Sequence, residues 1–360
     1  MITYDGWDRE YLENKQAYLD VFDRFMSQKN YENCEQFERV LAERIGRKHC
    51  VSVASATDAL HFALLAYGIG IDDEVLVTDF SWISSSACVS MVGATPVFCD
   101  IDLNSYHISL ASIERMYSNK VKAIVYPHLF GNMTDTQEIK SFCDEKSILF
   151  IEDAAQSLGA SLNGVQAGAV GSTSVFSFNT NKVIAGVNGG GAILTDDSDV
   201  ARRAKIIRRH GKDKDFSTLG YNSRMYAFNA EIILLRMQCL EDTQARRQEI
   251  ARQYDNAFAN LPITVQYKPA CLNHNYHKYV VRFENKDTRD RVKTALGASI
   301  HYETPLSANG MYNNIKHRRD ACIASKTASD TVLSLPIHAW LTDIEIESIV
   351  STVRDSINRE

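Results

Sequence analysis

From His49 to Gln156 the chain alternates short apolar runs with helical segments, and no other feature limits its fold as much. HCVSVAS, DEVLVTDFSW, TPVFCDID, VKAIVYPHLFG and ILFIEDAAQ are each rich in β-prone residues. Between them, SATDALHFALLAYG, ISSSACVSMVG and TQEIKSFCDEKS carry apolar residues at helical spacing. The first of these helices has a start signal at Ser55 or Thr57 and a stop at Gly68. Upstream, CEQFERVLAERIG places Phe37, Val40, Leu41 and Ile45 on one helical face. Such a rhythm predicts a mainly parallel sheet covered by helices, with ligands held outside the carboxyl ends of the strands. The residues that trail the strands therefore matter: Ser55, Trp82, His128, Asp153 and, further on, Lys182.

Lys182 lies in SVFSFNTNKVIAGVNGGGAILTDD, between one β-prone run (Val175, Phe176, Phe178) and another (Ala192, Ile193, Leu194). A lysine in such a linker is ordinarily solvated. In a partly desolvated pocket its pKa falls and its amine becomes a nucleophile able to form a Schiff base. The three glycines Gly189 to Gly191 lack GxGxxG spacing and no helix pattern follows them, which argues against a dinucleotide site there. A tight hairpin that lets backbone approach something bulky suits them better.

The remaining candidates follow from chemistry. Asp153 and Gln156 sit just past an apolar strand; a carboxylate there caps a turn or pairs with a protonated ring nitrogen. Ala56 and Thr57 open a helix, whose free amides and dipole favour a phosphate. Ser174 and Ser177 offer hydroxyls to the same anion, and Trp82 offers a flat face for a heteroaromatic ring, or simply a core aromatic.

The chain has 360 residues, room for one large α/β domain (1–240) and a smaller α+β domain (241–360). The segment AEIILLRMQCLEDTQARRQEIARQYDNAFANL reads as one long helical connector between them. A net charge of −6 argues against a broad nucleic-acid or anionic-membrane surface. The opening residues show no apolar leader, and no run approaches the ~20 apolar residues of a membrane span, so a cytoplasmic protein is expected. Eight scattered cysteines read as reduced core thiols, and His274 and His277 lack a third ligand, so no metal is expected.

Phosphate cradle, stacking aromatic, acid and lysine occur in the order Thr57, Trp82, Asp153, Lys182. That order resembles the fold-type I (aspartate aminotransferase-like) pyridoxal-phosphate enzymes, with a large, mainly parallel seven-stranded sheet. SATDALHFAL, VGATPVFCDID, HLFGNMTD, IEDAAQSLGA, GYNSRM, HYETPL and LSLPIHAWLTDIEIESIV, together with the Lys182 stretch, resemble successive blocks of the DegT/DnrJ/EryC1/StrS sugar aminotransferase family. The resemblance implies roles. Lys182 matches the Schiff-base lysine, Asp153 the acid on the pyridine nitrogen, Gln156 the glutamine beside the 3-hydroxyl, and Trp82 the stacking aromatic. Ala56, Thr57 and Ser177 match phosphate ligands. Asn222 matches an asparagine supplied by the other subunit of a homodimer, and Arg224, His301 and Tyr302 match residues near a nucleotide diphosphate. The family usually has glycine at Ala56 and a Gly-Pro near Asn33–Cys34, both absent here.

The implied reaction moves an amino group from L-glutamate, through pyridoxal 5'-phosphate, to a nucleotide-linked keto sugar. NKVIAG after the site lysine resembles members that aminate C4 of a 4-keto-6-deoxyhexose more than the KNLG of C3 enzymes. The implied setting is surface polysaccharide (O-antigen) biosynthesis. The alternatives are another sugar position, a free keto sugar acid, or a non-catalytic cofactor-binding regulator.

Overall fold

A computed structural model describes residues 5–28 and 34–358. Seven strands form the expected sheet: β1 (His49–Val53), β2 (Glu74–Thr78), β3 (Thr95–Cys99), β4 (Val121–Pro127), β5 (Leu149–Asp153), β6 (Thr173–Ser177) and β7 (Gly191–Thr195). Their order is β1-β7-β6-β5-β4-β2-β3, with only β7 antiparallel to its neighbours. An eighth strand, Arg318–Arg319, pairs in parallel with β3. It comes from the C-terminal third of the chain, where no β pattern marks two arginines.

Helices α1 (Trp7–Gln28), α2 (Glu35–Ile45), α3 (Ala56–Ala66), α4 (Ser84–Met91), α5 (Leu110–Met116), α6 (Gln137–Lys146) and α7 (Ser198–Ile207) surround this sheet. Along β2 the side chains alternate between two cores. Val75 and Val77 pack with Leu60 and Phe62 of α3 and Val200 of α7. Leu76 packs with Ile113 of α5 and Ile139 of α6. A sheet buried on both faces needs apolar residues at every position, which is why these strands read as continuous runs.

The expected connector is two helices, α8 (Ala227–Met237) and α9 (Leu240–Phe258). They part at Gln238–Cys239, where Cys239 leaves helical geometry at φ −103° and ψ 13° without any glycine or proline to signal it. Three antiparallel strands follow, β8 (Ile263–Val265), β9 (Tyr279–Phe283) and β10 (Val332–Leu335), in the order β8-β9-β10. They share a core with Tyr254 of α9, Val292 of α10 (Lys286–Leu296) and Ile349 of α12 (Asp343–Ile357), and α11 (Ile323–Thr331) leads directly into β10.

Helix α1 docks through an aromatic seam, with Phe22 and Phe25 at ring separations of 6.1 and 5.3 Å from Phe228 of α8, and through polar contacts. Arg236 of α8 lies 3.5 Å from the centre of the Trp7 ring and pairs with Glu10 at 2.7 Å. Arg9 makes a two-pronged bond to Glu345 of α12.

Candidate functional site

The sheet register gathers the chemistry at one edge. Val53 at the end of β1 and Ser177 at the end of β6 both stand opposite Gly191, the first residue of β7. Asp153 ends β5 opposite Pro127 on one side and Val175 on the other. Beyond these ends lies a cavity of about 310 Å³, bordered by Ala56, Thr57, Trp82, Asp153, Gln156, Ser177, Lys182, His301 and Tyr302.

Asp153 is buried, and its carboxylate accepts from Ser85 Oγ at 3.1 Å and from the amide of Ala155 at 3.2 Å. Burial pushes its carboxyl up; the Ala155 amide, the Lys182 ammonium and Ser85 oppose that. Burial pulls Lys182 down to about 8, partly countered by Asp153. A lysine in that range is about a tenth neutral amine at pH 7, against roughly one part in a few thousand for an exposed lysine.

The strand-to-strand connection 178–190 that carries Lys182 is not a tight hairpin. It is a long loop pinned from outside. Trp7 Nε1 donates to the Thr180 carbonyl at 2.7 Å, Arg236 Nη1 to Ala185 at 2.8 Å, and Asn229 Nδ2 to Gly189 at 2.6 Å. At Gly191 the glycine requirement comes from α3. A Cβ on Gly191 would stand 2.4 Å from the carbonyl group of Ser55, so the loop lies directly on the start of that helix.

At that start Ser55 caps α3, its Oγ accepting from the Asp58 amide at 3.1 Å. The first-turn amides of Ala56 and Thr57 have no helical partner. The Thr57 hydroxyl meets Ser84 Oγ at 2.7 Å, and Ser177 faces the same space. Here Ala56 is helical, so the alanine carries no backbone strain. Ser174 does not join them. It lies three residues before Ser177, on the opposite face of β6, buried outside the cavity.

Tyr302 and His301 arrive from the far end of the chain. Ser307, just after them, donates its amide to Asp79 Oδ1 at 2.6 Å, which rivets the segment to the end of β2. Tyr302 Oη accepts from Gln156 Nε2 at 2.7 Å, so its hydroxyl is engaged with that side chain. His301 meets Ser334 Oγ at 2.9 Å, and burial pulls it down to about 3, so it is neutral.

His128, flagged by its place after β4, is instead buried against Glu152 at 2.9 Å. Asn222 and Arg224 do not border this chain's cavity. Asn222 is exposed in a backbone bridge with Arg209, and Ser223 ties the loop to α3 by donating to Asp58 at 2.7 Å. Of the Gly-Pro departure, Asn33 lies outside the described residues. Sequence reasoning missed Ser85, Asn181, Asn188 and His277, which also border the cavity. The serine run after Trp82 was the available signal for Ser85.

A buried acid opposite a desolvated lysine, free helix amides in hydroxyl company and an aromatic at the mouth suit a phosphorylated, protonated pyridine. The fold and donor set define a fold-type I pyridoxal-phosphate-dependent aminotransferase. The chain belongs to the DegT/DnrJ/EryC1/StrS aminotransferase family, whose sequence profile matches residues 11–354, and it is a sugar aminotransferase. It is 33% identical over 89% of its length to the dTDP-3-amino-3,6-dideoxy-alpha-D-galactopyranose transaminase of Aneurinibacillus thermoaerophilus, covering 88% of that protein. To the UDP-2-acetamido-2-deoxy-3-oxo-D-glucuronate aminotransferase of Pseudomonas aeruginosa it is 31% identical, with 88% and 89% covered. The crystal structure of S. venezuelae DesV with a ketimine intermediate superposes at a TM-score of 0.94, with 27% identity over 100% of this chain and 99% of that one.

Proposed function

We propose that the protein transfers the amino group of L-glutamate to the keto carbon of a nucleotide-linked deoxy sugar, giving 2-oxoglutarate and an amino sugar. The observation that carries the reading is the pairing of buried Asp153 with a lysine held near pKa 8 in one cavity. Pyridoxal phosphate bound there supplies an electron sink for the amine-bearing carbon. Lys182 anchors it through Nζ and, once released, moves a proton between carbon atoms of the reacting pair. Asp153 keeps the ring nitrogen protonated. Gln156 faces the 3-oxygen, and Trp82 covers one ring face. The Ala56 and Thr57 amides and the Ser177 hydroxyl hold the phosphate.

The working form in this reading is a homodimer, with Asn222 and Arg224 reaching the partner's site. Trp82, Val187 and Tyr226 are 63%, 50% and 69% exposed, apolar surface that a second copy would cover. His301 lies on the sugar side. The preferred substrate is a 4-keto-6-deoxyhexose aminated at C4, a reading supported by the Asn181–Gly186 run. The setting is cytoplasmic surface polysaccharide (O-antigen) synthesis; among the described residues no helix is long and apolar enough to cross a membrane. A C3 reading has its own support, because both curated relatives named above carry position 3 in their names.

The test is a visible spectrum of the purified protein with L-glutamate, followed by 3-keto and 4-keto nucleotide sugars. Glutamate should shift the cofactor band, and the 4-keto sugar should restore it. Restoration by the 3-keto sugar alone moves the assignment to C3. A band indifferent to every amino donor overturns the enzyme reading in favour of a cofactor-binding regulator.

A further inference from the structure

The Gln156 side chain is held more tightly than a residue that merely touches a ligand needs to be. Its Oε1 accepts from the Phe130 amide at 2.8 Å. A backbone amide can only donate, so the oxygen must face Phe130 and the NH₂ group must face the other way. Phe130 itself is locked. It sits at φ +64°, followed by Gly131 at φ +87°, where a Cβ would stand 1.6 Å from Asn275 Oδ1. Asn275 then donates Nδ2 to the carbonyls of Gln156 at 2.9 Å and Leu158 at 3.0 Å.

With the oxygen fixed, the amide has two N–H groups to place. One goes to Tyr302 Oη at 2.7 Å. The other is left for a ligand in the cavity that Gln156 and Tyr302 both border. The Tyr302 ring cannot drift. It stacks on Phe130 at 6.1 Å and 18°, and meets the Phe80 edge at 5.6 Å and 83°. Leu306 and Ser307 fasten its segment through Asp79.

We propose that Tyr302 is a positioning residue that acts through Gln156, orienting its amide so that an N–H meets the phenolic oxygen of the cofactor, rather than a ligand of the sugar nucleotide. The proposal rests on the reading that Gln156 faces that oxygen. It also gives the segment after β9 a part in cofactor binding that β-strand ends alone do not provide. When the hydroxyl is removed the ring packing survives, but the amide loses one of its two fixed partners and swings about its last torsion.

The test uses Tyr302→Phe, Gln156→Ala and the double variant. Three quantities are read: affinity of the cofactor-free protein for pyridoxal phosphate, position of the bound cofactor's visible band, and KM for the keto sugar. The thermal midpoint serves as fold control. Gln156→Ala should weaken cofactor binding about tenfold or more, the usual effect of losing a hydrogen bond to a charged acceptor. Tyr302→Phe should weaken it about threefold to tenfold and shift the band, with the sugar KM unchanged. The double variant should bind no worse than Gln156→Ala, because Tyr302 has nothing left to orient. Gln156→Glu keeps the acceptor for Phe130 but removes the donor, and should bind no better than Gln156→Ala. The proposal is overturned if Tyr302→Phe leaves affinity and band unchanged while raising the sugar KM, or if the two single losses add in the double variant. A Gln156→Ala variant with unaltered affinity and band would instead sink the reading of Gln156, and this proposal with it.

Discussion

At the scale of single residues, neighbouring carboxylates with opposite tasks divide the site. Glu152 faces away from the cavity, accepting from the amides of Gly168, Val170 and Gly171 and from His128, and these donors hold its carboxyl below the usual range despite burial. Asp153, one position on, has fewer donors and is raised. Lys182 completes the contrast. Its pKa of about 8 in the folded chain lies below the ordinary lysine value of 10.5. Between those values the unfolded chain binds more protons, so stability rises with pH across that window, by no more than about 3 kcal/mol. Lys182→Ala should abolish turnover, by about a thousandfold or more, while the cofactor-free variant unfolds in urea without that pH-dependent rise. Retained turnover, or an identical rise from pH 8 to 10.5 in both proteins, would remove Lys182 from its role.

At the scale of elements, the site depends on how closely the Lys182 loop lies on α3. Gly191→Ala would drive a methyl into the Ser55 carbonyl at 2.4 Å and the Ala56 amide at 2.6 Å. Neither is a side chain that can swing aside. Displacing the start of α3 should cost about 1–3 kcal/mol and weaken pyridoxal phosphate binding at least tenfold. Gly164→Ala is the control. It sits at φ +81° with nothing within 4 Å, so it should lose only about 1 kcal/mol to backbone strain and leave cofactor affinity alone. Equal cofactor affinity in the two variants, read by fluorescence titration, would show that the loop tolerates the shift. The need for small residues here was legible, but its cause was not. The glycines do not make a tight turn: Gly189 and Gly190 take positive φ, and Gly191 clears space for a helix start more than a hundred residues earlier in the chain.

At the scale of the whole molecule, α1 links both parts of the chain to the site. Its Trp7 reaches the Lys182 loop and its Arg9 grips Glu345 at the capped start of α12. The hydrogen bond to Arg9, chiefly, holds the Glu345 carboxyl down to about 2, against an ordinary value of 4.5. A depressed carboxyl contributes stability above its unfolded value, and that contribution fades as pH falls from about 4.5 toward 2. Protection of the α1 amides, taken relative to the intrinsic exchange rate at each pH, should therefore fall across that range, and Glu345→Gln should show the lower protection already at neutral pH. Protection in α1 that ignores both changes would mean that Arg9 plays no part in docking the helix.

The sequence by itself determined the sheet, because strands buried on both faces must be apolar throughout and the helices between them must carry a stripe. It also marked the residues at the strand ends, since ligands gather there in any open parallel sheet. Asp153, Lys182, Thr57 and Trp82 were legible for that reason. Tertiary structure alone decided what depends on contacts between distant segments. It docked α1 through Phe228, Arg236 and Glu345, placed Arg318–Arg319 at the sheet edge, and turned Ser174 away from the cavity. It also brought Tyr302 onto Gln156, a contact 146 positions apart in the chain. Local pattern records which face of an element is buried, and it carries no information on which distant side chain will meet it there.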